Sequence, residues 1–252
     1  MEVLIVGAGA MGRWFAEAVD AAVAFADVDE GAATDAAEEV GGRAVPLESD
    51  ERFDAVCLAV PMTGIEAAVA AHATQAETAI LDVSGVMGPA LEAMAEHAPG
   101  AERVSLHPLF APERAPGSIA VVRDQGGETT EELLSALEAS GNEVVETTAT
   151  EHDEAMESVQ AAAHAAVLSF ALAADSVPAG FETPIYEELR SLAEQVTEGT
   201  PRVYADIQET FEGAEAVAEA ADRLAEADPE GFESLYREAE DRWQGQGGDT
   251  DE

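Results

Sequence analysis

The chain contains 252 residues, of which 53 are acidic and 11 are basic, all of the latter arginine, so the formal net charge at pH 7 is −42. Because 47% of the residues are hydrophobic, we expect the acidic residues to coat a packed core rather than keep the chain disordered. Nucleic acids are excluded as partners, since their phosphates would be repelled and no arginine cluster would neutralise them. Molar salt screens the self-repulsion of such a chain, because the Debye length then falls to about 3 Å. The composition therefore predicts a halophilic protein, with an acidic interaction surface as the alternative.

The single cysteine and the hydropathy pattern bear on location. Cys57 cannot form an intrachain disulfide, and its apolar neighbours predict that it is buried, as is typical of a reducing cytosol. The longest nearly apolar stretch, residues 161–174, has 14 residues, fewer than the roughly 20 that a membrane span needs. No basic residue precedes Val3–Val6, which disfavours a secretory signal. We therefore expect a cytoplasmic protein with no membrane partner.

Up to about residue 148, short apolar runs alternate with helical windows rich in alanine and glutamate. The predicted strands are Glu2–Val6, Ala22–Ala26, Ala55–Val60, Ala79–Val83, Arg103–Leu106, Ser118–Val122 and Glu143–Thr147. The predicted helices are Met11–Val19, Ala32–Val40, Ile65–Ala71, Pro89–His97 and Thr130–Ser140. Continuous apolar strands that alternate with helices are typical of a parallel sheet covered on both faces. We therefore predict an α/β, doubly wound sheet in this half.

After Thr150 the pattern indicates helices alone, at 151–175, 184–198, 201–226 and 230–243, separated by Pro and Gly. The segment Val159–Ala174 is apolar nearly all round, which predicts a fully buried helix. Since few residues surround that helix, we expect it to be buried in a dimer interface. The predicted organisation is a nucleotide-binding domain at 1–149, an all-helical dimerisation domain at 150–244 and a disordered acidic tail at 245–252.

A glycine motif follows the first predicted strand. Val3–Val6 runs into Gly7, Ala8, Gly9, Ala10, Met11 and Gly12, and a helix follows. This arrangement is typical of a Rossmann-type dinucleotide site, in which the glycines permit a tight turn, backbone approach to the pyrophosphate and close helix packing. Asp27 ends the second strand, where an acid binds the ribose 2′-hydroxyl, so NAD is predicted rather than NADP. The alternative is that Asp27 belongs only to the acidic coat.

Histidines supply the candidate proton acceptors. His107 follows the predicted strand Arg103–Leu106, at the edge where open α/β sheets bind ligands. A histidine there can take the hydroxyl proton as hydride leaves the same carbon; the alternative is a structural histidine at a loop end. His72 and His97 are expected at the surface, and no third ligand at useful spacing favours a metal site at His152-Asp153.

Together these motifs resemble the prephenate dehydrogenase family, in its short archaeal form. The matching segments are the glycine loop, Ala59-Val60-Pro61, His107-Pro108-Leu109-Phe110, His152-Asp153, Val159-Gln160 with His164, Pro184-Ile185-Tyr186 and Pro201 with Tyr204-Ala205-Asp206-Ile207-Gln208. The resemblance implies a Rossmann-type domain joined to a helical dimerisation domain. It also implies oxidation of prephenate by NAD to 4-hydroxyphenylpyruvate and carbon dioxide, in tyrosine biosynthesis. The alternatives are a dehydrogenase of arogenate or another hydroxy or oxo acid, and a non-catalytic NAD-binding regulator.

The resemblance also implies roles for individual residues. It implies catalytic roles for His107 and His164, and substrate binding by Ser84, Glu113, Gln160 and Arg202. It implies a cofactor site formed by Gly7, Ala8, Gly9, Ala10, Met11, Gly12, Asp27, Val60 and Pro61, and no metal site. The chain departs from the family pattern at three positions, with Gly85 in place of Ser, Met87 in place of Lys and Gln195 in place of Arg. Loss of that Arg removes a charge-assisted pair with a substrate carboxylate, and we predict that Arg202 rather than Arg190 compensates for it.

Overall fold

The computed structural model describes residues 1–178 and 180–246 and divides into two compact units, Met1–Met156 and Glu157–Glu252. The division falls seven residues after the domain boundary predicted at 149/150, and the domain assignment itself stays a prediction. Of the predicted tail at 245–252, residues 245 and 246 continue the last helix, and residues 247–252 lie outside the described residues.

The first unit is built on one eight-stranded sheet, with strand order β3-β2-β1-β4-β5-β6-β7-β8. Neighbouring strands are parallel except that β7 runs antiparallel to β6. The strands are β1 Glu2–Val6, β2 Ala22–Ala26, β3 Arg43–Ala44, β4 Phe53–Leu58, β5 Ala76–Asp82, β6 Glu102–Pro108, β7 Ser118–Gln125 and β8 Glu143–Glu146. The predicted doubly wound α/β sheet of Rossmann type is thus confirmed. The two-residue strand β3 escaped prediction because it is too short to show a pattern.

Helices cover the sheet and close its core. They are α1 Ala10–Ala18, α2 Glu30–Val40, α3 Ile65–His72, α4 Gly88–His97, α5 Glu128–Ala139 and α6 Ala149–Met156. Apolar side chains of the strands and of α1, among them Ile5, Phe15, Phe25 and Cys57, are buried in one cluster, so the predicted burial of Cys57 is confirmed. The predicted exposure of His72 is wrong, because its Nδ1 is paired at 2.7 Å with Gln75 Oε1 inside the fold.

The strands β1, β4 and β5 end at the same edge of the sheet, as parallel strands must, and the glycine loop begins there. Strand β6 is longer than predicted, because its antiparallel pairing with β7 continues through Pro108. His107 therefore lies inside a strand, opposite Ala120, and does not follow the strand as the sequence pattern suggested. A histidine held in a strand has less backbone freedom than one in a loop, which suits a group that must be placed accurately.

In the second unit the described residues form helices only: a π-helical turn at Glu157–Ala162, then α7 Ala163–Ala173, α8 Pro184–Thr197, α9 Pro201–Thr210, α10 Gly213–Glu226 and α11 Pro229–Gln246. Two predictions are wrong here. The helix predicted at 201–226 is two helices, since Phe211 adopts an extended backbone and its side chain is buried. The apolar segment Val159–Ala174 is not fully buried: only Ala161 is, and α7 contains no buried residue.

The reason for this exposure is that α7 packs mainly against α8 and α10 within the unit and leaves part of its apolar surface to solvent. Leu172 is 88% exposed and Val159 is 60% exposed. None of the helices described, up to residue 246, combines the length and the apolar character that crossing a lipid bilayer would require.

Candidate active site

The glycine loop at the end of β1 has a backbone that tolerates no side chain at two positions. Gly7 has a positive φ of 109°, and a Cβ there would lie 2.2 Å from the carbonyl oxygen of Ala59. A Cβ on Gly12 would lie 2.0 Å from the carbonyl oxygen of Gly7. A Cβ on Gly9, by contrast, would meet nothing within 4 Å. Gly7 and Gly12 therefore shape the loop, while Gly9 borders open space that a ligand can approach.

This open space faces the start of helix α1. Gly9 is the N-cap and offers no side-chain cap, and the first turn, which includes Ala10, Met11 and Gly12, contains no acidic residue. The first N–H groups of a helix lack partners within the helix and carry partial positive charge, so they attract an anion. The pyrophosphate of a dinucleotide fits this loop, even in a protein of net charge −42.

Asp27 follows β2 and is held beside the loop by two backbone N–H groups. Its Oδ2 accepts a hydrogen bond from Ala8 N at 2.7 Å, and its Oδ1 accepts one from Asp29 N at 2.9 Å. Each carboxylate oxygen can accept a further bond, so the fixed carboxylate suits a pair of ribose hydroxyls. The guanidinium of Arg13 donates to the Ala8 carbonyl oxygen and pairs with Glu39, so that cation is engaged.

Two further strand ends contribute to this edge of the sheet. After β4, Val60 is partly exposed and Pro61 is exposed, and the backbone N–H of Ala59 bonds to the carbonyl oxygen of Val6 at 2.8 Å. After β6, Glu113 lies exposed in the short helical turn Pro112–Arg114. The cofactor and substrate residues predicted in this unit are thus gathered at the carboxyl edge of the sheet.

A tight turn after β5 places Gly85 against His107. Asp82, fully buried, accepts hydrogen bonds from Ser84 N at 2.9 Å and from Ser84 Oγ at 2.5 Å, and burial raises the pKa of Asp82 to about 6. Gly85 has a φ of +92°, and a Cβ there would lie 3.1 Å from His107 Nε2. Position 85 therefore faces the histidine, whereas the hydroxyl of Ser84 is directed to Asp82. The role of Ser84 in substrate binding stays a prediction.

His107 belongs to a chain of three hydrogen-bonded side chains. Its Nδ1 lies 2.8 Å from Nε2 of His152, and Nδ1 of His152 lies 2.7 Å from Oδ1 of Asp153. Asp153 also accepts the backbone N–H groups of Met87 and Gly88, at 3.1 and 2.9 Å, where helix α4 begins. Both histidines are buried. From the sequence, His152-Asp153 was one segment of the family resemblance and a metal site was disfavoured there. Its contact with His107 was not predicted, because no spacing rule links the pair to a histidine 45 residues earlier.

The electrostatics of this chain follow from burial and hydrogen bonding. Burial, and next the neighbouring His152, lowers the pKa of His107 to about 3. Burial acts to raise the pKa of Asp153, but the hydrogen bonds from His152, Gly88 and Met87 outweigh it and leave that pKa below its ordinary value. Asp153 is therefore ionised and His107 is neutral near pH 7. Within the described ranges, no group of three or more His, Cys, Asp or Glu is arranged to hold a metal ion.

The remaining predicted residues lie in the second unit. Gln160 is carried by the π-helical turn, against which Gly213 packs so closely that a Cβ would lie 2.1 Å from the carbonyl oxygen of Glu157. His164 follows one turn later and packs edge to face on Tyr204, with ring centroids 4.9 Å apart. Burial lowers the pKa of His164. π-Helical turns frequently occur at functional sites, and this one carries Gln160 one turn before His164.

The second unit also contains the three side chains that were considered for binding a substrate carboxylate, Arg190, Gln195 and Arg202. Arg202 is 68% exposed, and its Nε lies 2.7 Å from Oδ1 of Asp206, whose side chain is buried. Arg190 is paired with Glu182 and Glu194, at 3.7 and 3.4 Å, and Gln195 is exposed. Both arginines therefore already have acidic partners, and the assignment of Arg202 rather than Arg190 to a substrate carboxylate stays a prediction.

Comparison with known proteins gives consistent matches. Residues 15–147 match the family model described as "Prephenate dehydrogenase, nucleotide-binding domain". The chain is 32% identical to the 4-amino-4-deoxyprephenate dehydrogenase of Streptomyces pristinaespiralis, over 94% of this chain and 88% of that protein. It is 25% identical to a probable arogenate/prephenate dehydrogenase of Methanocaldococcus jannaschii, over 94% of this chain and 59% of that longer protein.

Solved structures share the fold. Prephenate dehydrogenase of Aquifex aeolicus, crystallised with hydroxyphenyl propionate and NAD+, superimposes with a TM-score of 0.70 at 16% identity, over 97% of this chain and 98% of that one. Synechocystis arogenate dehydrogenase superimposes with a TM-score of 0.62 at 16% identity, over 98% of this chain and all of the other, 100%. The family model covers more than half of the chain, and the Streptomyces relative exceeds 30% identity over nearly all of it. The chain therefore belongs to the prephenate dehydrogenase family and is an oxidoreductase.

Proposed function

We propose that the protein oxidises prephenate with NAD, forming 4-hydroxyphenylpyruvate and carbon dioxide, in tyrosine biosynthesis. The observation that carries the proposal is the placement of His107, a buried neutral histidine in a strand at the carboxyl edge of a sheet whose first loop fits a dinucleotide. A neutral imidazole is a proton acceptor, and removing a hydroxyl proton is what the oxidation of an alcohol requires.

NAD held by the glycine loop and Asp27 would supply the acceptor for the hydride that leaves the ring carbon bearing the hydroxyl. His107 takes the proton from that hydroxyl as the C–O bond becomes a carbonyl. The bond from the ring to its carboxylate then breaks, carbon dioxide leaves and the electron pair makes the ring aromatic. The oxygen becomes a phenolate and recovers the proton from His107, so the histidine returns to its neutral form. Because the lowered pKa keeps His107 neutral near pH 7, its imidazole is able to accept this proton.

The preference for NAD rests on Asp27. Its fixed carboxylate can accept hydrogen bonds from the ribose hydroxyls and would repel a 2′-phosphate. The neighbouring Val28 and Asp29 supply no positive charge, and Arg13 is engaged with Glu39. The loop residues, with Val60 and Pro61, are proposed to line the rest of the cofactor site.

The substrate-binding residues predicted from the sequence remain part of the proposal. Glu113, Gln160, His164 and Arg202 are proposed to bind the carboxylates and hydroxyl of the substrate, with Ser84 as a further polar group of the first unit. For Arg202 the proposal requires that its guanidinium contact a carboxylate while it stays paired with Asp206. An arginine has five N–H donors and can serve two acids at once.

A second candidate substrate carries an amino group in place of the ring hydroxyl. The observation that favours it is Gly85, which leaves no hydroxyl beside His107 Nε2 where the family pattern has Ser. The Streptomyces relative is named for 4-amino-4-deoxyprephenate, which differs in that group. Arogenate is a third candidate, since relatives are named for it. A comparison of arogenate with prephenate tests how the protein binds the side chain of the substrate.

The test is an assay of NADH formation with prephenate, arogenate and 4-amino-4-deoxyprephenate, each with NAD or NADP, in molar KCl. We expect the highest kcat/KM with prephenate and NAD. Higher kcat/KM with one of the other two compounds would transfer the proposal to that compound. No oxidation of any of the three by the folded protein would contradict the proposal. A control with His107→Asn ensures that the absorbance change comes from this site.

We further propose a cytoplasmic, halophilic homodimer that pairs through the helices of the second unit. The apolar surface of α7 and α8 supports the dimer, with Leu172 at 88%, Ile185 at 72% and Leu192 at 45% exposure. Patches of this kind mark interaction sites.

The halophilic proposal is tested by melting curves. Because salt screens repulsion among 53 acidic residues, the melting temperature should rise as KCl increases from dilute to molar concentration. A melting temperature that stays constant or falls over that range would contradict the proposal. Choline chloride at equal ionic strength separates charge screening from specific binding of potassium.

A further inference from the structure

The chain of side chains that begins at Asp153 determines which nitrogen of His107 holds a proton. Asp153 accepts two backbone N–H groups at the start of α4 and is ionised near pH 7, so it can only accept from His152. The proton of His152 therefore lies on Nδ1, 2.7 Å from the carboxylate oxygen. In a neutral His152 with its proton on Nδ1, Nε2 is unprotonated and acts as a hydrogen-bond acceptor.

The same reasoning extends one residue further. Nε2 of His152 lies 2.8 Å from Nδ1 of His107, and since the first is an acceptor, the second must be the donor. His107 is neutral, so a proton on Nδ1 leaves Nε2 unprotonated. That nitrogen is on the side of the ring that faces Gly85, where a Cβ would lie 3.1 Å away. The nitrogen at the carboxyl edge of the sheet is thus the one with the basic lone pair.

We propose that His152, oriented by Asp153, is a positioning residue that keeps His107 in the tautomer whose Nε2 accepts the substrate proton. The role rests on the proposed function, in which His107 is the proton acceptor. As the substrate O–H bond breaks, an N–H bond forms at Nε2 of His107 and the ring becomes positively charged. Its Nδ1–H bond to His152 then strengthens, because the donor is charged, and the negative Asp153 stabilises the pair. The proton returns to the phenolate, and no other reactant is needed.

Burial explains why His107 needs a hydrogen-bond partner that selects its tautomer. In water a neutral histidine exchanges between its two tautomers, and only one of them has a basic Nε2. His107 is 7% exposed and His152 is 3% exposed, so solvent contributes little to orienting either ring. Hydrogen bonds within the protein must therefore select the tautomer. The backbone N–H groups of Met87 and Gly88 anchor the far end of the chain, which fixes Asp153 in turn.

The test compares two substitutions of His152 with a matched control. His152→Phe keeps a ring of similar size but removes both nitrogens, whereas His152→Gln keeps an oxygen that can accept from His107 Nδ1. The control is His72→Phe. His72 is also a buried histidine with one side-chain partner, but it lies at the end of α3 near the amino end of β5, the opposite edge of the sheet.

We expect His152→Phe to lower kcat by about 10- to 100-fold, the range usual for groups that orient a functional histidine. The KM for substrate and the Kd for NAD should change little, because His152 determines only which nitrogen of His107 holds the proton. His152→Gln should recover most of the lost kcat, and His72→Phe should leave kcat near that of the unaltered protein. Equal losses in the Phe and Gln variants, or none in either, would overturn the proposal.

A second measurement needs no substrate and separates this proposal from the proposed function. In the protein labelled with 15N-histidine, the five histidines are few enough to assign by single substitutions, and chemical shift distinguishes a protonated ring nitrogen from an unprotonated one. We expect His107 to show a protonated Nδ1 and an unprotonated Nε2, and His152→Phe to give a mixture of tautomers. A proton on Nε2 of His107 in the unaltered protein would overturn the inference even if prephenate is oxidised. If none of the three substrates is oxidised, the proposed function fails while these spectra still decide the tautomer.

Discussion

The two units hold their candidate histidines in different ways. His107 is buried in a strand and hydrogen-bonded to His152. His164 is half buried on a helix and is packed against the ring of Tyr204, and among the described residues its Nδ1 has no hydrogen-bond partner. A nitrogen with a fixed internal partner is suited to moving a proton in a defined direction. A shielded nitrogen without one is suited to binding a polar ligand group that supplies the missing bond.

The largest expected effect tests this difference directly. His107→Asn should lower kcat by roughly two to four orders of magnitude, the range usual for a general base, with little change in the Kd for NAD. His164→Asn should act mainly on KM for substrate, raising it about tenfold, since it removes one hydrogen bond to a polar ligand. Steady-state kinetics of both variants give the comparison.

His97→Asn serves as the control, because His97 is exposed at the end of α4. If His164→Asn reduces kcat as strongly as His107→Asn does while KM is unchanged, the division of roles between the two histidines is wrong.

The next largest expected effect is on the free energy of unfolding, and it comes from the buried carboxyl group of Asp82 in the first unit. Asp82 keeps its proton to about pH 6 in the folded chain, whereas its ordinary pKa is 3.8. As the pH rises from 4 to 7, the unfolded chain loses this proton first, so folding is progressively disfavoured, by about 2 kcal/mol in total. Asp82→Asn cannot titrate and escapes this loss. Relative to the unaltered protein, the variant should therefore gain about that much free energy of unfolding between pH 4 and pH 7.

Urea denaturation in molar KCl at the two pH values measures the difference. The matched control is Asp54→Asn, because Asp54 is exposed and also accepts one backbone N–H, from Glu2 at 2.7 Å. A pH dependence that is the same in Asp82→Asn and in the unaltered protein would show that Asp82 is ionised at pH 4 in the folded state.

The glycine loop allows folding and binding to be separated within the first unit. Gly7→Ala places a Cβ on the carbonyl oxygen of Ala59 and should lower the free energy of unfolding by at least about 2 kcal/mol. Gly9→Ala meets no protein atom and should change stability by less than about 0.5 kcal/mol. Its Cβ projects into the proposed pyrophosphate site, so the Kd for NAD should rise at least about tenfold. Denaturation and fluorescence titration measure the two quantities, and unchanged NAD binding by Gly9→Ala would contradict the placement of the cofactor.

The sequence predicted the first unit well because its signals are local. Gly7 and Gly12 are required by backbone contacts within one strand-loop-helix segment, and the strands have the continuous apolar character of a buried sheet. For the same reason His107 was correctly placed near the end of a strand, although the strand continues through it to Pro108. The partners of His107 were not predicted, because His152 reaches it through the packing of α6, and no spacing in the sequence reports that contact.

The second unit was predicted less well because its signals depend on what the helices pack against. The apolar run Val159–Ala174 reads as a buried helix, yet apolar composition does not say whether the covering surface belongs to the same chain. The break at Phe211 was missed for a related reason, since its extended backbone is stabilised by burial of the ring and not by a Pro or Gly. The π-helical turn has no sequence signature, and Gly213, which packs on it, lay inside the single helix predicted at 201–226.

The smallest expected effect tests whether a second copy of the chain covers this apolar surface. Leu172→Glu should not destabilise a monomer, because the side chain is 88% exposed, but it would place a charge in the proposed dimer interface. Burying one leucine contributes about 1.5 to 3 kcal/mol, so the dimer dissociation constant should rise at least about tenfold.

Val28→Glu is the control, since Val28 is 90% exposed and lies in the first unit. Sedimentation velocity in molar KCl over a range of concentrations measures both variants. Equal weakening of the dimer by both substitutions would point to the added charge alone. An unaltered protein that is monomeric at every concentration would show that α7 is not covered by a second copy. Weakening confined to Leu172→Glu would mean that the helical unit completes its core only in the assembly, whereas the sheet unit completes its own within one chain.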